Sequence, residues 1–174
     1  PYALKLGAKF ISQARIDREG DAMFKNFLIK SDQCQSPNSV EQLNKLVTKL
    51  SADSKIKYKL YVVNESQVNA FAIPKANMVI FSGLLDKMSS ANELSMIIGH
   101  EMGHIDRKHA RNFYAKYIIF NNIFIKSGVL FTKLISSKYS REDEAESDLF
   151  AYDLAIKRNI HPKNLVALLE VLKK

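Results

Sequence analysis

Ser90-Ala91-Asn92-Glu93-Leu94-Ser95-Met96-Ile97-Ile98-Gly99-His100-Glu101-Met102-Gly103-His104 is the stretch that decides how this 174-residue chain is read. Its first four residues have the Ser-x-x-Glu form of a capping box, and the apolar run through Leu94, Met96, Ile97, Ile98 and Met102 predicts a long buried helix. Within that helix His100-Glu101-Met102-Gly103-His104 has the form His-Glu-x-x-His, which arises by chance on the order of once in a few hundred chains of this length. Side chains four apart lie one above the other on a helix, so both imidazoles can reach one tetrahedral ion while Glu101 projects beside it. Zinc lowers the pKa of water in contact with it, and a neighbouring carboxylate can take the proton as that water attacks a carbonyl. The expected chemistry is therefore amide hydrolysis, with Glu101 as general base. The bland alternative is an ordinary helix whose histidines are satisfied by hydrogen bonds.

A catalytic zinc site needs a third protein ligand and an open position for water. A Met-turn-type metalloprotease would continue with glycine at position 107 and histidine at 110; Arg107 and Ala110 stand there, which excludes that subclass. On a continuous helix, at about 100° per residue, His109 falls near 180° from His100 and about 140° from His104, so it reads as a second-layer or structural residue. The remaining donors lie in Ser140-Arg141-Glu142-Asp143-Glu144-Ala145-Glu146-Ser147-Asp148, which leads into Leu149, Phe150, Tyr152 and Leu154. Acidic residues favour helix N-termini, so a solvated helix start accounts for this cluster without a metal. Glu144 and Asp148 are nonetheless four apart on one face, which would let Glu144 ligate the ion while Asp148, the second member of the catalytic group, orients a ligand histidine. Spacing alone does not separate Glu144 from Glu142 or Glu146.

Upstream of this helix the periodicity changes. Residues 55–63 alternate, with Ile56, Tyr58, Leu60 and Val62 on one side and Lys57, Lys59 and Tyr61 on the other, predicting a half-buried strand. Residues 68–73 and 78–81 predict two further short strands around a Pro74-Lys75-Ala76-Asn77 turn. Cap-type residues Ser36-Pro37-Asn38-Ser39 followed by Leu43, Leu46, Val47 and Leu50 predict a helix, and residues 1–30, with Leu4, Leu6, Phe10, Ile11, Ile16, Met23, Phe24 and Phe27, predict an outer helical layer. Helices flanking a small antiparallel sheet make an α+β domain. Residues 117–135 are strongly apolar, but Asn121, Asn122, Lys126, Ser127, Gly128, Thr132 and Lys133 keep them short of the roughly 18 uninterrupted residues of a spanning helix. Core cover and a membrane-surface element are equal readings of that stretch.

Length and a hydrophobic content of 47% suit one compact domain and are too small for two of ordinary size. The net charge of +8 implies attraction to anionic partners, but there is no Arg-rich arm, zinc-finger spacing or Gly/aromatic box, so nucleic acid is not an expected partner and a solvated basic surface accounts for the charge. Cys34 has no second cysteine to pair with and sits in a polar stretch. A chain that begins at Pro1 has the appearance of one whose secretory signal or membrane anchor has been removed.

Four ordered motifs resemble the HtpX-like family of zinc metallopeptidases, which also includes CAAX prenyl proteases, mitochondrial Oma-type proteases and BepA-like envelope proteases. They are Val68-Asn69-Ala70-Phe71-Ala72-Ile73-Pro74 followed by Val79-Ile80-Phe81-Ser82-Gly83-Leu84-Leu85; Glu93-Leu94 leading into Gly99 to His104, with Gly103 and His109 at family positions; Ser140-Arg141-x-x-Glu144-x-x-Ser147-Asp148; and Asn159-Ile160-His161-Pro162. The resemblance covers about residues 40–172. It implies that Glu144 is the third ligand, that His161 is a turn residue, and that Asn69, Ala70 and Phe71 lie on the substrate side, where an extended peptide would add to a sheet edge. The chain departs from the pattern at Lys75-Ala76-Asn77, where many relatives carry glycines, at Ser147, where they carry alanine, and in lacking a glycine before His161. Membrane-embedded relatives insert spanning helices between the second and third motifs, after His109 and before Ser140; here residues 113–135 stand in that place, and a lid over the cleft is a further expectation for them.

The reading is thus a mostly helical, zincin-like single α+β domain over residues 1–174, with residues 1–35 as an N-terminal helical layer and 36–174 as the catalytic core. Its expected cofactor is one Zn2+ on His100, His104 and Glu144, and its expected activity is that of a zinc metalloendopeptidase acting on protein or peptide substrates, with peripheral membrane contact and a role in quality control of the bacterial cell envelope. A catalytically latent zinc-containing chaperone or binding module is the alternative, and a membrane-surface adaptor is a third.

Overall fold

The computed structural model of the chain describes residues 11–32, 37–124 and 139–161. Helix α1 spans Gln13–Lys30 and α2 Pro37–Leu50; strands β1, β2 and β3 span Lys59–Val63, Ala70–Ile73 and Asn77–Phe81; a single turn, α3, covers Ser82–Leu85; and α4, α5 and α6 span Ala91–Asp106, His109–Phe124 and Arg141–Lys157. Residues 1–10 of the expected outer layer, Cys34, Ser36, residues 125–135 of the apolar stretch and the segment from Pro162 onward lie outside the described residues. Among the described residues no helix is long and apolar enough to cross a membrane.

The sheet has the order β1-β3-β2. Strand β2 pairs antiparallel with β3, Ile73 opposite Asn77, as a tight connection requires, but β1 runs parallel to β3 from Lys59 opposite Asn77. The small sheet is therefore mixed, where an antiparallel one was expected. Central β3 is buried at all five positions, because Met78 and Ile80 face one core and Val79 and Phe81 the other. Strand β1 begins only at Lys59, later than the alternation from residue 55 suggests, because its partner β3 begins at Asn77 and offers residues 55–58 nothing to pair with. In the β2–β3 loop Lys75 (φ 61°) and Ala76 (φ 57°) occupy the left-handed region, which costs a non-glycine residue about 1–2 kcal/mol. The buried Asn77 side chain donates to Pro74 O at 2.9 Å and braces that loop.

Helices cover both faces of the sheet. Leu43, Val47 and Leu50 of α2 join Leu60, Val62, Met78 and Ile80 with Met96, Ile97, Ile98 and Met102 of α4 and Ala151 and Ala155 of α6. On the other face Ile16 and Phe24 of α1 meet Val63, Phe71, Ile73, Val79 and Phe81, with Tyr114, Ala115 and Ile118 of α5. Ile16 and Phe24 are 0% and 4% exposed, and burying such side chains is worth about 1.5–3 kcal/mol each, so α1 is firmly attached. Arg158 ties the end of α6 to that of α2 by donating to Leu50 O at 3.3 Å and Asp53 Oδ2 at 3.0 Å.

Helix α4 starts at Ser90, whose Oγ accepts from Glu93 N at 3.2 Å, while the Glu93 carboxylate accepts from Ser89 N at 2.7 Å, one residue earlier than in the reciprocal box expected. It ends at Asp106, after which Lys108 (φ 64°) turns the chain and His109 begins α5. Helix α6 has the reciprocal box: Ser140 Oγ accepts from Asp143 N and Asp143 Oδ2 from Ser140 N. Where α4 crosses α6, Gly99 faces Ala151, and a Cβ on Gly103 would lie 3.0 Å from Ser147 Cα.

Candidate metal centre

That close crossing sets Glu144, in the first turn of α6, against the two histidines of α4. His100 Nε2 lies 3.0 Å from His104 Nε2 and 3.3 Å from Glu144 Oε2, and His104 Nε2 lies 3.9 Å from Glu144 Oε1. One ligand atom from each of the three residues falls within 4.8 Å of the others. An ion bound tetrahedrally at about 2.0–2.1 Å by nitrogen separates its donors by about 3.3 Å, so two imidazoles and a carboxylate at these distances fit a divalent metal. Glu142 and Glu146, which spacing left as alternatives, take no part in this group.

The supporting shell is also in place. Asp148 Oδ1 accepts from His100 Nδ1 at 2.9 Å, which leaves His100 Nε2 turned inward. Asp148 thus touches His100 and is not one of the three clustered groups. Tyr139, which the sequence did not single out, stacks on the His104 ring with centroids 3.8 Å apart and planes at 20°. His109 stands behind His104 and outside the three-residue group, as expected of a second-layer residue, but not for the reason given: because α4 stops before it, the wheel drawn for a continuous helix does not apply, and its Nδ1 lies 3.2 Å from His104 Nδ1.

Glu101 is buried, 7% exposed, and its Oε2 has no hydrogen-bond partner, the state of a carboxylate aimed at something the polypeptide does not supply. Burial pushes its carboxyl up to about 7, with Glu144 adding to the rise and His100 and the Ala72 N–H opposing it. A base with a pKa near neutrality suits proton transfer. Burial opposes protonation of His100, but the Asp148 and Glu144 carboxylates, with Glu101 nearby, outweigh it and push the metal-free imidazole up to about 10. Burial, then the His100 and His109 rings, push His104 down to about 2. Without metal, a proton on His100 Nε2 therefore stands between the two facing nitrogens where a cation would otherwise sit.

Of the residues expected on the substrate side, Asn69 precedes β2 and its carbonyl accepts from Phe81 N at 3.0 Å. That bond makes Asn69, Phe71 and Ile73 the residues bonded to β3, and the alternation of an antiparallel ladder turns the main chain of Ala70 and Ala72 toward the free edge. Phe71 itself is core, its ring 6.0 Å from Phe27 and 5.7 Å from Phe81. Ala72 is a residue the sequence reading did not place on the substrate side: its N–H stands near enough to Glu101 to hold that carboxyl down, so the free edge of β2 borders the carboxylate.

The sequence profile described as peptidase family M48 matches residues 35–173. The chain is 33% identical over 134 residues to the metalloprotease LoiP of Escherichia coli strain K12, covering 68% of this chain and 52% of LoiP. It is 34% identical over 132 residues to the metalloprotease YcaL of the same organism, covering 67% and 51%, and 28% identical over 100 residues to the beta-barrel assembly-enhancing protease of Yersinia pestis, covering 54% and 21%. The chain spans about half the length of LoiP and of YcaL.

Proposed function

The chain belongs to peptidase family M48 and is a metallopeptidase domain; from that premise we propose that it hydrolyses internal peptide bonds of proteins, with one zinc on His100, His104 and Glu144 and with Glu101 as general base. The observation that carries the reading is the gathering of those three ligand groups beside a buried carboxylate oxygen that has no partner. Zinc in such a site supplies a Lewis acid that polarises the scissile carbonyl and makes water nucleophilic near neutral pH. The polypeptide does the rest. Asp148 holds His100 in the tautomer that presents Nε2, and Glu101 takes the proton from the attacking water and returns it to the leaving amine.

The free edge of β2 is the place where an extended substrate segment would add its main chain, antiparallel or parallel, within reach of Glu101. Ala70 and Ala72 would supply the bonds; Phe71 holds the strand in the core, and Asn69 anchors its start to β3. A place in the cell envelope, acting on misassembled proteins, is supported by the beta-barrel assembly-enhancing protease among the relatives and by the net charge of +8, which favours peripheral contact with anionic lipid.

Elemental analysis of the wild type, Glu101→Gln and Glu144→Gln, paired with casein cleavage, tests this. The expected result is one zinc in the wild type and in Glu101→Gln, weakened binding in Glu144→Gln, and cleavage lost in both variants. Zinc in all three with no cleavage by any would favour a latent binding module, and no zinc in the wild type would overturn the reading.

A further inference from the structure

His104 has two ring nitrogens, and a metal would take only one of them. Nε2 faces His100, while Nδ1 lies 3.2 Å from Nδ1 of His109, a residue 5% exposed that the Lys108 turn brings back against α4. The far nitrogen of His109 settles which of the two is the donor. His109 Nε2 lies 3.3 Å from Glu146 Oε2 and 3.5 Å from Asp143 Oδ1, both acceptors, so this geometry selects the tautomer with its proton on Nε2 and a bare lone pair on Nδ1. Its neighbour across the 3.2 Å contact must then donate. An imidazole with its proton on Nδ1 has its lone pair on Nε2, which is the form a metal ligand needs.

We propose that His109 is a positioning residue that relays the carboxylates of Glu146 and Asp143 to His104 and fixes His104 in the tautomer that keeps Nε2 open to the ion. The inference rests on the zinc reading given above. Ligand histidines ordinarily meet a carboxylate, carbonyl or water directly; here a second imidazole stands between. Ser147, fully buried on α6, lies with its Oγ 3.3 Å from the same His109 Nδ1, where its hydroxyl also donates. Both groups facing that nitrogen are thus donors, and removing the Ser147 hydroxyl leaves the lone pair to His104 alone.

The test compares the full chain with His109→Leu, His109→Asn and Ser147→Ala. Zinc dissociation constants come from chelator competition, the visible spectrum is taken with cobalt(II) in the site, and thermal unfolding is followed without metal. Leucine keeps the bulk of the ring without an acceptor, whereas asparagine returns an acceptor oxygen near the place of Nδ1. The expected result is that His109→Leu weakens zinc by about 10–100-fold and shifts the cobalt bands, His109→Asn stays within about threefold of wild type, and Ser147→Ala binds as tightly or more tightly. Equal losses in the leucine and asparagine variants would reduce His109 to a packing residue and overturn the proposal. Wild-type affinity in His109→Leu would overturn it while leaving the zinc site standing; a wild type that binds no zinc would overturn both. Should His109→Leu fail to fold, nitrogen-15 NMR of the zinc-loaded wild type decides: a His109 ring protonated on Nε2 with a bare Nδ1 supports the proposal, and a proton on His109 Nδ1 sinks it.

Discussion

Gly103 and Ser147 meet at the crossing of α4 and α6 with little room for a side chain on the glycine: an added Cβ would lie 3.0 Å from Ser147 Cα and 3.2 Å from Ser147 Cβ and Phe150 Cβ. The contact is between backbone and backbone, so neither partner can rotate away. Gly103→Ala is expected to lower stability by about 1–3 kcal/mol and, by prising Glu144 from the two histidines, to lower zinc affinity as well. Thermal unfolding with and without a chelator separates the two effects; a variant as stable as wild type with unchanged affinity would show that the helices give way freely.

Glu101→Gln removes a buried charge. The folded carboxyl is raised from 4.5 to about 7, so the folded metal-free protein holds more protons than the unfolded chain between those pH values. A raised pKa contributes stability that is complete below about 4.5 and is lost as pH rises through about 7. The metal-free glutamine variant should therefore match the wild type at low pH and exceed it by up to about 3 kcal/mol at pH 8. Melting curves from pH 4 to 8 check this, and a gap that does not widen with pH refutes it.

At the proposed site zinc would have to displace the proton that Asp148 and Glu144 hold on His100. That proton's contribution to the metal-free fold is complete below 6.5 and disappears as pH rises through about 10. Between neutrality and about pH 9, zinc binding should release close to one proton from His100, and apparent affinity should climb about tenfold per pH unit. Calorimetry in buffers of different ionisation heat reads the proton count directly; no release at pH 8 would mean that His100 is already neutral.

Asp148→Asn keeps the shape of the group on His100 Nδ1 but not its charge. The 2.9 Å contact survives as a weaker neutral bond, so zinc affinity should fall by about tenfold with little change in fold. Chelator competition measures it, and a loss as complete as that of Glu144→Gln would make Asp148 a ligand.

The two histidines and Glu101 were legible because helical spacing is a short-range rule. Glu144 lies 40 positions beyond His104, on another helix, and spacing left it level with Glu142 and Glu146 until resemblance separated them. The angle given for His109 was wrong, though not its second-layer place, because nothing in Arg107-Lys108 announces the left-handed turn at Lys108; a glycine there would have. Strand positions showed in the alternation of Leu60 and Val62, but which strand lies beside which is a long-range matter, and the parallel pairing of β1 with β3 left no local trace. Tyr139 carried no signal, since it acts through a ring face, and Ala72 showed only as part of the first motif, since its side chain plays no part and its backbone N–H does.

Strand β2 is bonded to the sheet on one side and borders Glu101 on the other. If the proposed docking holds, the part that aligns a substrate and the part that carries the base are one piece of main chain, and the enzyme measures in peptide units. The bond cut would follow from how far a bound segment has threaded along the edge, while its side chains would govern only how long it stays. Such a ruler cannot read a sequence well, but it reads foldedness: a stretch already committed to its own helix or sheet has no free backbone to offer, and a stretch that has lost its structure does.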